Sequence, residues 1–149
     1  MAIRSVRSRW PTIASVKTTE ITIRTGSRRG LFDLTDECAR FVAGAGDGLL
    51  SVFVPHATAG VVLMELGAGS EADLLATLDR MLPRDQRWVH RHGSPGHGAD
   101  HVVPLLVPPC ATVPVVGGRL GLGTWQSIGL LDTNVDNQAR TVRLTFLPG

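Results

Sequence analysis

The stretch LLSVFVPHATAGVVLME, residues 49–65, decides the fold class. Its two apolar runs, 49–54 and 60–65, are rich in Val and Leu and too short for a helix of ordinary length. Short apolar runs bounded by turn signals are buried strands, and here Pro55 to Ala59 supply the turn. Working outward, residues 17–24 (KTTEITIR) alternate apolar and polar positions as a half-buried strand does. Residues 140–147 repeat the pattern, with Val142, Leu144 and Phe146 on one face and Thr141, Arg143 and Thr145 on the other. Residues 111–116 (ATVPVV), a Gly117-Gly118 hairpin turn, residues 119–125 and residues 126–132 bring the total to about seven strands joined mostly by turns.

Helical spacing occurs in two places. LTDECARFVAGAGDG, residues 34–48, reads as an amphipathic helix with Thr35 or Asp36 as N-cap and a glycine-rich stop. In residues 70–82 a Ser70/Asp73 capping box precedes an apolar stripe of Leu74, Leu75, Leu78, Met81 and Leu82, and Pro83 ends the helix. A further helical turn is expected near Ala99 to Val103. Helices interspersed with turn-connected strands predict an α+β fold: a single domain over 1–149, with sandwich-like antiparallel sheets and two or three helices. About the first sixteen residues read as a flexible or loosely packed N-terminal segment.

Composition narrows the function classes. With 43% hydrophobic and 19% charged residues the chain can bury a core, so disorder of the body is excluded. A net charge of +2 is too small to predict nucleic-acid binding, although Arg4, Arg7, Arg9 and Lys17 concentrate basic charge at the start. Cys38 and Cys110 match neither a disulfide framework nor a CxxC metal motif and are expected to be reduced core residues. No run has the apolar length of a membrane span or of a signal core, so a cytoplasmic protein without membrane partners is expected. Open sheet edges predict a homo-oligomer.

Four of the five histidines fall in WVHRHGSPGHGADHVVP, residues 88–104. Imidazole nitrogens suit divalent metals, yet no HExxH or Cys-containing zinc motif is present. His97 and His101 are four apart, which would align them on a helix, but Pro95 and Gly98 argue against a regular one. His90 and His92 would share a strand face if extended. Metal ligation and a solvated loop both remain open at this level. His56 follows the first apolar run of the opening stretch, and Glu65 closes the second; a hairpin would place them near opposite ends. A carboxylate there must be solvated, paired or metal-bound. GRLGLGTWQS, residues 118–127, lacks the Gly-Lys-Ser/Thr ending of a phosphate loop. Trp125 and Gln126 would point to opposite strand faces, one packing and one offering an amide. Arg119 and Arg140 are candidates for an anion or for an ordinary salt bridge.

Taken in order, HATAGVVLME, WVH, DHV and VPVVGGRLGLGTWQSIGLLD, followed by Arg140 before a final strand, resemble the YjbQ-like family of secondary thiamine-phosphate synthases. The resemblance spans about residues 17–149. It implies a trimer with a polar pocket at or near the subunit interface, which would relieve the separation of His56 and Glu65. It carries catalytic roles onto His56, Glu65, His90 and His101, a divalent metal (zinc or magnesium) onto His56, His90 and His101, and substrate binding onto Thr58, Gln126 and Arg140. Trp88 stands where the family has Tyr, Leu66 where it has Asn, and His97 and Ala99 where it has the Asn and Asp of Asn-Ala-Asp-Ala-His; Asp100 is one residue away. His92 matches no family position. The implied reaction joins hydroxymethylpyrimidine diphosphate to thiazole phosphate with release of diphosphate. The alternatives are a metal-dependent hydrolase of a small phosphorylated metabolite and a non-catalytic trimeric metabolite binder.

Overall fold

The computed structural model describes residues 15–149; Arg4, Arg7, Arg9 and nearly all of the expected N-terminal segment lie outside the described residues. Eight strands, β1 (Lys17–Arg24), β2 (Gly30–Asp33), β3 (Gly48–Phe53), β4 (Ala59–Met64), β5 (Cys110–Val116), β6 (Arg119–Leu120), β7 (Ser127–Asp132) and β8 (Ala139–Pro148), build two antiparallel sheets. One has the order β1-β8-β3-β5-β6 and the other β2-β7-β4. The helices are α1 (Thr35–Val42), α2 (Ser70–Met81) and the short α3 (His97–Asp100), followed by a 3-10 turn at Val103–Leu105.

Period-two alternation explains how the sheets meet. Val142, Leu144 and Phe146 of β8 face Leu50 and Val52 of β3, Val113 and Val115 of β5, and Ile128 and Leu130 of β7 in one buried core. Leu131, on the opposite face of β7, packs with Leu78 of α2 and with Val103 and Val107. The three-stranded sheet is therefore covered on both sides, which is why β7 reads as an unbroken apolar run.

The two runs of the opening stretch are both strands but do not form a hairpin. β3 pairs with β5 and β8, β4 pairs with β7, and the segment from Val54 to Thr58 carries the chain from one sheet to the other. Each run needs a buried face on its own sheet, and the intervening Pro55, with no N–H to donate, breaks the ladder. β2 escaped sequence reading because four residues give too little alternation. The expected strand over 119–125 shrinks to Arg119–Leu120; one further bond, Gly121 N–H to the Pro114 carbonyl at 2.7 Å, follows before the chain turns at Gly123, whose carbonyl accepts the Gln126 N–H at 3.0 Å. Gly117 and Gly118 do form the expected hairpin turn, both at positive φ as a type I′ turn requires.

Several local expectations are corrected. Thr35 is the first residue of α1 rather than its cap: its N–H donates to the Asp33 carboxylate at 2.8 Å, and its hydroxyl accepts the Ile128 N–H at 3.0 Å, tying α1 to β7. The Ser70/Asp73 box does not form. Gly69 is the N-cap of α2, and Glu71 reaches back to accept the Gly67 N–H instead. Met81 is exposed, so the apolar stripe of α2 is narrower than its spacing suggested. Cys38 is buried, and burial pushes its thiol up to about 12, so it packs as an apolar group. Cys110 faces solvent on β5, contrary to its expected place in the core.

Candidate metal centre

Residues 83–101 fold back on themselves rather than wander as a solvated loop. Trp88 donates its indole N–H to the Pro83 carbonyl at 2.7 Å. A Cβ at Gly98 would sit 2.5 Å from Trp88 Cβ and 2.6 Å from the His90 carbonyl oxygen, so only glycine lets these turns touch. That contact makes room for α3, the short helix that Pro95 and Gly98 had argued against. The Asp100 carboxylate points inward, fully buried, and pairs with the Arg84 guanidinium, which also donates to the Pro95 carbonyl at 3.1 Å. The carboxylate missing at Ala99 is thus present one residue on, and it holds the loop rather than facing its open side.

α3 places His97 and His101 one turn apart, and their Nε2 atoms lie 3.0 Å from each other. His90 and His92 approach from the preceding segment. Ring centroids are 4.1 Å apart for His90 and His92, 4.7 Å for His92 and His97, 4.4 Å for His90 and His101, and 5.2 Å for the stacked pair His90 and His97. One nitrogen from each of His90, His92 and His97 falls within 4.8 Å of the others. Behind them, Asp136 accepts from His97 Nδ1 at 2.8 Å and from the Ser94 N–H at 3.2 Å. These donors and the Asn134 amide hold the Asp136 carboxyl down at about 2. A carboxylate can only accept, so the 2.8 Å contact with Asp136 assigns the His97 proton to Nδ1 over the longer 3.0 Å approach of the Asn134 amide nitrogen, and the Nε2 lone pair then points away from Asp136.

The donor set fits a divalent cation. Burial and the neighbouring imidazoles hold His90 and His101 below the ordinary imidazole range, and a neutral His90 ring is what ligation requires. The Asp136–His97 pair is the carboxylate–imidazole arrangement that orients a metal ligand. A cleft of about 570 Å³ opens over the group, with Arg84, Trp88, His90, Arg91, His92 and His97 in its lining.

His56 stands outside this group within one chain. Where the chain leaves the sheet after β3, β8 loses a strand partner, and the His56 ring takes over: its Nε2 accepts the Thr141 N–H at 2.9 Å. The expected metal role for His56 therefore conflicts with its contacts, because a neutral ring bonded in this way carries its proton on Nδ1 and has no lone pair left to give. Arg140, expected at substrate, is 1% exposed. It occupies an inward position of β8, forms two hydrogen bonds with the buried Asp132 at 2.8 and 2.7 Å, and donates to Thr58 Oγ1 at 3.2 Å. Thr58 and Arg140 are thus joined to each other in the interior. Glu65 is exposed just past β4, and Gln126 is exposed just before β7, where its side chain accepts the Gly123 N–H. Neither Trp125 nor Gln126 packs; Trp125 is 74% exposed. The pairing of Met64 with Ser127 puts Glu65 and Gln126 at one end of the three-stranded sheet, and that of Ala59 with Asp132 puts Thr58 at the other.

Sequence reasoning missed Asp132, Asn134 and Asp136, which link the two groups. The Asn134 N–H donates to Asp132 at 3.1 Å, while its amide donates to Asp100 at 3.2 Å and to Asp136 at 3.3 Å. The signal was present: Asp132 ends an apolar run as Glu65 does, and polar groups follow at alternate positions.

The His56 contact predicts a pH dependence. Burial and the Arg140 charge lower its pKa below the ordinary value of 6.5, with Asp132 opposing. A lowered folded pKa contributes stability that is present above 6.5 and is lost as pH falls through the folded value. His90 and His101 act in the same direction. His56→Gln, which keeps an acceptor but cannot titrate, is expected to lose less stability than wild type between about pH 7 and pH 5 in urea denaturation. Equal losses would refute the His56 assignment.

Known proteins place the chain. A family model described as UPF0047 protein YjbQ-like matches residues 19–149. A UPF0047 protein of Mycobacterium bovis is 58% identical over 123 residues, covering 83% of this chain and 95% of the relative. One from Archaeoglobus fulgidus is 32% identical, covering 83% and 96%. Among solved structures, a YbjQ-like protein of unknown function from Sulfolobus solfataricus superimposes with a TM-score of 0.83 at 25% identity, covering 91% of this chain and 99% of its own. A YjbQ/UPF0047 family protein from Clostridium acetobutylicum gives 0.78 at 26%, covering 86% and 98%. A family match across both sheets and the histidine loop, together with these relatives, makes this chain a member of the YjbQ-like UPF0047 family.

Proposed function

We propose that the histidine loop holds a divalent cation and that the protein is a thiamine-phosphate synthase, joining hydroxymethylpyrimidine diphosphate to thiazole phosphate with release of diphosphate. The observation that carries this reading is the convergence of four imidazoles beside a cleft of about 570 Å³ lined by two arginines. Such a volume suits a small phosphorylated substrate. The reaction breaks a carbon–oxygen bond to a diphosphate and forms a carbon–nitrogen bond, so most of the task is to stabilise the departing charge. A bound cation supplies that stabilisation. Arg91 holds the Trp88 carbonyl through Nε at 3.1 Å, and its terminal nitrogens make no hydrogen bond among the described residues, so they are free to draw diphosphate oxygens. Arg84 is committed to Asp100 and keeps the cleft wall in place.

A homotrimer belongs to this reading. Glu65, Gln126 and the exposed Trp125 lie at the end of the three-stranded sheet remote from Asp132 and the histidine loop, about 20 Å along the strands. A neighbouring protomer brings them to the cleft, where Glu65 takes up a proton or orients an imidazole and Gln126 binds polar ring atoms. The cytoplasm supplies the substrates; among the described residues no helix is long and apolar enough to cross a membrane.

The test is thiamine-phosphate formation by purified protein from both substrates, with added divalent metal and with chelator. Product that appears only with metal supports the reading. Diphosphate release without condensation would replace it with a hydrolase, and tight substrate binding without turnover with a metabolite binder.

A further inference from the structure

The family pattern points to His56, His90 and His101 as ligands, but the geometry points elsewhere. We propose that His90, His92 and His97 are the ligand set of one nitrogen-preferring transition metal of the zinc class, with Asp136 as the positioning residue of His97 and His101 outside the coordination sphere. The inference rests on the cation of the preceding reading but not on the synthase reaction.

Three observations select this trio. One nitrogen from each of these three side chains lies within 4.8 Å of the other two, a spread that one cation can bridge. All three line the cleft, whereas His101 does not. A catalytic metal site needs three protein ligands and one position open to substrate, and only a trio on the cleft wall leaves that position where substrate can arrive. The third observation is the engagement of His101. Its Nε2 is 3.0 Å from His97 Nε2, whose own proton is on Nδ1 facing Asp136. With that proton on Nδ1, the His101 Nε2 faces the lone pair that His97 would offer a metal. It marks the direction of that lone pair and competes for it, and a metal taking the lone pair turns His101 away.

His92 is then a ligand that the family pattern does not contain, and it decides the metal. Three imidazoles with no carboxylate among them suit zinc, cobalt, nickel or copper; magnesium and calcium require oxygen ligands. Asp136 is kept out of the ligand set by its bonds to His97 and the Ser94 N–H.

The experiment is competitive titration of the full-length protein with Zn²⁺ and Mg²⁺ alone, together with the visible absorption of its Co²⁺ form. Wild type is expected to hold one Zn²⁺ and no Mg²⁺ at comparable concentration. His92→Ala is exposed and is not expected to disturb folding; it should weaken Zn²⁺ by more than the roughly 10–100-fold expected of Asp136→Asn, and should alter the Co²⁺ spectrum. His101→Ala should retain both, with affinity equal to or above wild type. Loss of Zn²⁺ in His101→Ala with retention in His92→Ala would overturn the proposal, as would preference for Mg²⁺. Zinc held by this trio without thiamine-phosphate formation would keep the ligand assignment and reject the synthase. Product formation by a protein whose zinc ignores His92→Ala would do the reverse.

Discussion

Asp132→Asn is expected to destabilise the protein by about 3–5 kcal/mol, the cost of leaving a buried charge without its partner. Arg140 and Asp132 are 1% and 0% exposed, so water cannot replace the lost carboxylate. An amide keeps the shape and one acceptor but brings an N–H toward the guanidinium and removes the compensating charge. Thr58, the remaining side-chain acceptor of Arg140, is a neutral hydroxyl at 3.2 Å and cannot take over. The double variant Asp132→Leu/Arg140→Met is expected to recover much of the loss, since apolar replacement of both members of a buried pair is often neutral. Urea denaturation checks both variants. A loss below about 1 kcal/mol for Asp132→Asn would mean that the pair is hydrated and only weakly coupled to the fold.

Under the proposed synthase reading, His97→Ala carries the largest expected effect, a fall of at least about a hundredfold in thiamine-phosphate formation with the fold retained. His97 has more partners at the centre than the other histidines: it bonds to Asp136, contacts His101 and stacks on His90 at an interplanar angle of 12°. Its removal takes away a proposed ligand and leaves Asp136 with only the Ser94 N–H and the Asn134 amide as donors. The fold should survive because the ring, at the start of α3, is covered by polar neighbours and contributes nothing to either apolar core. The measurement is initial rate at saturating metal, with circular dichroism confirming the folded state. A folded variant within about threefold of wild type would remove His97 from the machinery.

Both predictions rest on residues whose legibility in the sequence differs. Arg140 was readable in part. Val142, Leu144 and Phe146 define the inward face of β8, and Arg140 shares their parity, so alternation alone puts a guanidinium inside. A buried guanidinium requires a carboxylate, but nothing local says which. The register of β7 against β4 is what sets Asp132 beside Thr58 and Arg140. The histidines were visible as a cluster. Their spacing nevertheless argued against a common centre, because it was judged against a regular helix or strand. The chain meets the requirement differently: a four-residue helix sets His97 against His101, and a turn packed at Gly98 brings His90 and His92 back over them.

The α+β class, the alternating strands β1 and β8, the apolar core face of β8, the hairpin at Gly117-Gly118 and the extent of α2 were all determined by sequence alone. Each depends on contacts within a few residues, which periodicity and turn chemistry record directly. The family followed from motifs in order. The tertiary structure alone decided that the opening stretch is shared between two sheets, that His56 completes the edge of β8, and that Asn134 joins a buried ion pair to a histidine loop. Those outcomes depend on which surfaces bury each other across dozens of residues, and local patterning carries no record of the partner.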